Sequence, residues 1–120
     1  MARVLIVEDI PELRELIVNE VSDMGHDVMS ACDGEEALGL VATQTPQIIL
    51  SDINMPKMNG YQFRKALEAK HAVLSGLPFI FVSAYSDETD IADGLIAGAD
   101  HYVTKPIDFD ALGALISELT

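Results

Sequence analysis

Five short apolar runs punctuate the chain: Val4 to Val7, Val28 to Ala31, Ile48 to Leu50, Phe79 to Val82 and Tyr102 to Thr104. Longer stretches lie between them, with apolar residues every three or four positions. Runs of this length predict strands, and the wider spacing predicts helices with one apolar stripe. The first helical stretch carries Leu13, Leu16, Ile17, Val21 and Met24, and the last carries Phe109, Leu112, Leu115, Ile116 and Leu119. Further helices are expected over Gly34 to Ala42, Gly60 to Lys70 and Thr89 to Ile96, with Pro11 near a helix start and Gly25, Gly76 and Gly98 in breaks. Strands and helices alternating five times, with no repeat, low-complexity segment or linker, predict an α/β fold.

The apolar runs differ in a way that orders the strands. A central parallel strand is covered on both faces and reads as continuously apolar, whereas an edge strand need not. The first, third and fourth runs are continuous; the second contains Ser30, and the fifth sets His101, Tyr102 and Thr104 around a single valine. Edges at strands two and five give the order 2-1-3-4-5, a doubly wound parallel sheet with right-handed crossovers. Its winding reverses between strands one and three, and ligands are expected at the carboxyl ends of those strands.

Composition bounds this picture. The chain has 120 residues, 49% of them hydrophobic, which suits one core, so a single domain over residues 1–120 is expected. The run after Met1-Ala2-Arg3 is too short for the apolar region of a signal peptide and is assigned to the fold. No stretch approaches the roughly 20 apolar residues of a membrane-spanning helix. Cys32 is the only cysteine, which excludes an internal disulfide, a zinc cluster built on cysteines and a C-x-x-C redox pair, and a reducing, cytoplasmic setting is inferred. Twenty acidic residues against seven Lys and Arg give a formal charge of -13, so phosphate backbones and anionic lipid would repel the domain; neither nucleic acid nor membrane is an expected direct partner.

Charge and chemistry coincide at the predicted strand ends. Glu8 and Asp9 follow the first strand, Asp52 the third and Lys105 the fifth, while Ser83 ends the fourth. Carboxylates crowded into one crevice repel each other, and a hard divalent cation with oxygen ligands, magnesium by default, is the simplest neutraliser. Lys105 donates and does not ligate, so its natural target is an anion. A metal, an ammonium and a hydroxyl around one carboxylate are the parts needed to stabilise a transferring phosphoryl group, with Asp52 as nucleophile. Each residue alone has an ordinary structural reading: a strand-end Asp or Ser caps a turn or helix, and a lone Lys is a solvated charge. Their joint placement at one end of the sheet favours the functional reading.

In this order and spacing, Val4-Leu5-Ile6-Val7-Glu8-Asp9, Ser51-Asp52-Ile53-Asn54-Met55-Pro56, Asn59-Gly60, Val82-Ser83-Ala84, Gly98-Ala99-Asp100 and Lys105-Pro106 resemble the response-regulator receiver domains of two-component phosphorelay signalling, of the chemotaxis type. The resemblance spans essentially the whole chain. It implies a flavodoxin-like doubly wound five-stranded sheet, order 2-1-3-4-5, with five helices. It also implies that Asp52 is the phosphoacceptor, that Glu8, Asp9, Asp52 and the backbone carbonyl of Asn54 hold Mg2+, and that Ser83 is a switch hydroxyl. Lys105 would pair with the phosphoryl group, Tyr102 would move inward with Ser83, and the Lys105-Pro106 bond would be cis. The donor would be a phosphohistidine on a histidine kinase or histidine phosphotransfer protein. The output would pass to a downstream effector domain or protein through the fourth helix, fifth strand and fifth helix. Such a domain is not an enzyme acting on other substrates; it catalyses only its own phosphorylation and dephosphorylation.

Two departures stand out. Lys57 occupies a place after Met55-Pro56 where a small residue such as Gly is common, and is read as a solvated side chain. Between Thr89 and Thr120 the only basic residue is Lys105, so a dimer built on cross-subunit salt bridges in that region is disfavoured. Asn54 and Tyr85 are expected to influence loss of the phosphoryl group. Three rival readings fit the residues less well. A haloacid-dehalogenase-type aspartyl-phosphate phosphatase wants an acid where Asn54 stands. A flavin binder needs a hydroxyl- and glycine-rich loop where Glu8-Asp9-Ile10-Pro11 stands. A degenerate receiver serving as a docking scaffold would lack an acid, the hydroxyl or the lysine. The chain stops after Leu119-Thr120, about where the fifth helix should end, which fits a stand-alone shuttle or a domain of a longer regulator or hybrid kinase.

Overall fold

The computed structural model describes residues 2–85 and 87–120, with every side chain among them except that of Ser75. In chain order it forms β1 (Arg3–Val7), α1 (Pro11–Asp23), β2 (Asp27–Ala31), α2 (Gly34–Val41), β3 (Ile48–Asp52), α3 (Gly60–Lys70), a 3-10 turn (Ala72–Gly76), β4 (Phe79–Ser83), α4 (Glu88–Ile96), β5 (His101–Thr104) and α5 (Phe109–Leu119). All five strands are parallel, in the order β2-β1-β3-β4-β5. The strand order and five helices are those expected from the sequence. Asp52 itself belongs to β3 and pairs with Val82, so the sheet extends two residues past the apolar run that announced it. The 3-10 turn between α3 and β4 has no counterpart in the sequence pattern.

Because side chains alternate across a strand, each strand feeds two apolar layers. Leu5, Val7, Ile49, Phe79 and Phe81 join Phe63 and Leu67 of α3 on one face. Val4, Ile6, Ile48, Leu50, Ile80 and Val82 meet Ile17 and Val21 of α1 and Leu112 and Ile116 of α5 on the other. Each such side chain, taken fully out of water, contributes roughly 1.5–3 kcal/mol before the entropy of ordering is counted.

Local chemistry sets the helix starts. Pro11 opens α1, where its missing N–H costs nothing. Asp33 caps α2 and Asp108 caps α5 through side-chain oxygens. Asn59 and Gln62 form a reciprocal capping box on α3. Asp87 makes no such bond at the start of α4.

Candidate functional site

The acidic cluster is a consequence of register. Val7 of β1 pairs with Ser51 of β3, so the residues one step on, Glu8 and Asp52, are brought side by side at the carboxyl edge. Carboxylate oxygens of Glu8, Asp9 and Asp52 all lie within 4.8 Å of one another. Glu8 is 1% exposed and Asp52 6%. Buried carboxylates need partners, and each has some. The Ile10 amide donates to Glu8 Oε2 at 3.2 Å and the Ile53 amide to Asp52 Oδ1 at 2.7 Å. Arg14 Nη1 donates to the Glu8 carbonyl oxygen at 2.9 Å.

Lys105 closes the cluster from β5's far end. Its Nζ lies 2.9 Å from Glu8 Oε1 and 3.4 Å from Asp52 Oδ2. Burial alone would lower its pKa, but the hydrogen bond to Glu8 and the charges of Asp52 and Glu8 outweigh it and raise the ammonium above its ordinary value. The Lys105–Pro106 peptide is cis. One ammonium among three carboxylates leaves two negative charges. Burial first, then the neighbouring Glu8, push the Asp9 carboxyl above the usual range, against the charge of Lys105. A divalent cation with oxygen ligands matches both the residual charge and the donor set.

The position of Asp52 is held from below by α3. A Cβ on Gly60 would stand 2.5 Å from the Asp52 carbonyl oxygen and 2.8 Å from Ile53 Cα. Only glycine therefore lets the first turn of α3 close onto the end of β3, where the Gly60 amide donates to the Ile53 carbonyl at 2.8 Å.

The remaining sequence-predicted residues occupy a second tier. Ser83, 2% exposed, ends β4 next to β3, and its Oγ accepts from the Tyr85 amide at 3.1 Å. Tyr102 lies on β5, and its hydroxyl donates to the Tyr85 carbonyl at 2.7 Å. Asn54 is exposed, two residues beyond Asp52.

Sequence reading passed over Asp33, which is 5% exposed, caps α2 and lies 3.8 Å from Lys57 Nζ. Its signal was present as an acid three residues before Glu36 at the head of a helix. Lys57 is largely solvated as expected, yet it reaches this partner and takes φ +64, the left-handed backbone that glycine adopts freely. Beside the acidic cluster, Leu13, Leu16, Pro106, Ile107 and Phe109 line with Lys105 an apolar groove of about 560 Å³.

Comparison with known proteins is consistent across sequence and structure. Residues 4–117 match the family described as "Response regulator receiver domain". The chain is similar to protein PilH of Pseudomonas aeruginosa, 38% identical over 112 residues that cover 93% of this chain and 92% of that protein. It is 36% identical over 114 residues to the probable transcriptional regulator ycf27 of Porphyridium aerugineum, covering 95% of this chain and 46% of the relative. The chain spans about half the length of the first curated relatives it matches. Among solved structures, the Vibrio cholerae chemotaxis protein CheY4 superposes with a TM-score of 0.92 at 28% identity, covering 100% of this chain and 99% of that one. The receiver domain of the sensor histidine kinase PA1611 from Pseudomonas aeruginosa, solved with a magnesium ion in its active-site cleft, gives 0.88 at 25% identity, covering 98% and 96%.

Proposed function

Since the chain belongs to the response-regulator receiver family of two-component signalling, we propose that Asp52 is its phosphoacceptor and that residues 1–120 form one receiver domain. Receiver domains generally use Mg2+. The observation that carries the reading is Lys105, whose ammonium bridges Glu8 and Asp52 inside a three-carboxylate cluster at the carboxyl ends of β1 and β3. Glu8, Asp9, Asp52 and the Asn54 carbonyl would hold Mg2+. When bound, the ion supplies charge neutralisation at the transferring phosphoryl oxygens.

In the proposed transfer an Asp52 carboxylate oxygen attacks the phosphorus of a phosphohistidine on a histidine kinase or phosphotransfer protein. The new O–P bond forms as the P–N bond breaks, its electron pair stays on the imidazole nitrogen, and the ring leaves neutral because its other nitrogen already carries a proton. Lys105 keeps its positive charge and turns from the carboxylates to the incoming phosphoryl oxygens, and Ser83 donates its hydroxyl. Asp52 is fixed by its neighbours on the sheet and by Gly60, so attack needs little reorganisation of the nucleophile. Catalysis of its own modification is the whole of the chemistry proposed.

The new charge at Asp52 would draw the Ser83 hydroxyl toward the phosphoryl group, and the Tyr85 backbone that links Ser83 to Tyr102 would adjust with it, changing the surface that α4, β5 and α5 present to a downstream effector domain or protein. The apolar groove beside Lys105 supports docking of the donor next to the acceptor. Among the described residues no helix is long and apolar enough to cross a membrane. Together with the net charge of -13, this supports a cytoplasmic protein partner over nucleic acid or lipid.

Intact mass after incubation with Mg2+ and acetyl phosphate tests the assignment. A single phosphoryl adduct is expected on the wild type and none on Asp52→Asn; an adduct that survives the substitution would overturn it. In a Mg2+ titration Asp9→Ala should weaken binding more than Lys105→Ala, and equal losses would contradict the roles given to these two residues.

A further inference from the structure

α4 contains a glycine where helix chemistry favours almost anything else. Glycine weakens a helix relative to alanine, and Gly94 lies in the last turn of α4, still ahead of the C-cap residue Ala97, so its place calls for a packing reason. The surroundings supply one. A Cβ on Gly94 would lie 2.7 Å from Tyr102 Cδ2, 2.9 Å from Tyr102 Cε2 and 3.3 Å from Phe81 Cδ2. The first two distances are shorter than any Cβ contact tolerates, so the Tyr102 ring occupies the space that a methyl group would fill.

That slot determines where the phenol reaches. With the ring against the α4 backbone, the Tyr102 hydroxyl meets the Tyr85 carbonyl at 2.7 Å, and the Tyr85 amide in turn donates to Ser83 Oγ at 3.1 Å. One residue of the β4–α4 loop thus joins Tyr102 to Ser83 through its two backbone groups. Tyr85 is 49% exposed, so water competes for the phenolic bond, and the bond alone holds the ring weakly. The packing of the ring in the Gly94 slot decides its position.

We propose that Gly94 is a positioning residue that holds Tyr102 inward before any phosphoryl group arrives, so that the β4–α4 loop that follows Ser83 is already set in the unphosphorylated protein. This rests on the phosphoacceptor reading for its consequence, since a loop set in advance spares part of the rearrangement that phosphorylation would otherwise have to drive. It does not depend on that reading for the ring's position.

The test combines Gly94→Ala with a second background. In the unphosphorylated wild type, NMR should show the Tyr102 ring protons close to the Gly94 α-protons. Gly94→Ala should abolish the inward ring position while leaving Mg2+ affinity unchanged. It should also slow adduct formation from acetyl phosphate at least about fivefold, the lower end of ordinary coupling between sites. In a Tyr102→Ala background the same substitution should change the rate by less than about twofold, because residues acting through one another lose their separate effects. Tyr102→Phe leaves α4 untouched and should keep the ring in the slot while losing part of the rate.

Equal slowing by Gly94→Ala in both backgrounds would mean that it acts through the helix and would overturn the proposal. So would a Tyr102 ring unmoved by Gly94→Ala, or found away from Gly94 in the wild type. A wild type that forms no adduct but keeps the ring against Gly94 would sink the phosphoacceptor assignment and leave the slot standing.

Discussion

α3 and α4 pack on the same face of the sheet and are held to it very differently. α3 begins with a full capping box and buries Gly60, Phe63, Arg64 and Leu67. The Arg64 guanidinium lies 5.5 Å from the centre of the Phe79 ring, and its Nε donates to the Gly98 carbonyl at 3.4 Å. α4 begins without a side-chain cap, buries only Gly94, and leaves Leu95 44% and Ile96 83% exposed. The helix that seats Asp52 is therefore anchored, and the helix next to Ser83 and Tyr102 is loosely attached. A receiver needs both: a rigid acceptor and a surface that can respond.

The largest test of this contrast is truncation in each helix. Phe63→Ala should destabilise the domain by about 3–5 kcal/mol in urea unfolding, because a fully buried ring leaves a cavity. Leu95→Ala, already half in water, should stay within about 1 kcal/mol. Comparable losses would erase the distinction.

Caps give a smaller version of the same comparison. Asn59→Ala removes a bonded N-cap and should cost about 1 kcal/mol. Asp87→Ala removes a cap residue that makes no cap bond, and its unfolding midpoint should be nearly that of the wild type.

The smallest effect concerns acid stability and the capped helices. Asp33 is held below the usual carboxylate range chiefly by the Glu36 amide, against burial, with help from the Lys57 charge. Its folded-state pKa lies below the unfolded one, so its contribution is present above the unfolded value of about 3.9 and lost as pH falls through the folded value. Asp33→Asn keeps a capping oxygen but does not titrate. Its stability should therefore fall less steeply than the wild type's on the acid side, and parallel acid titrations of the unfolding midpoint would remove Asp33 from the account.

Much of this architecture was legible in the sequence because it depends on local pattern. Continuous apolar runs marked β1, β3 and β4 as interior, while Ser30 and the polar residues around Val103 marked the edges, and that ordering alone gathered Glu8, Asp9, Asp52, Ser83 and Lys105 at one end. What escaped depends on contacts between distant segments. Nothing near Arg64 signals that a charged residue will be buried, because its surroundings come from β4 and the α4–β5 turn. The Lys57 backbone angle and the Asp33 contact belong to loops whose meeting no periodicity records. Gly94 did leave a trace, a glycine within a helical pattern, but its meaning appears only once Tyr102 is placed against it.

Glu8 and Lys105 stand 97 residues apart in the chain and 2.9 Å apart in space. During synthesis from the N-terminus, every carboxylate of the cluster leaves the ribosome long before the cation that completes it, and β5 must dock before the ammonium can reach Glu8. A nascent or truncated chain would carry Asp52 without its counter-charge. The ion pair thus forms only once all five strands of the sheet have been made.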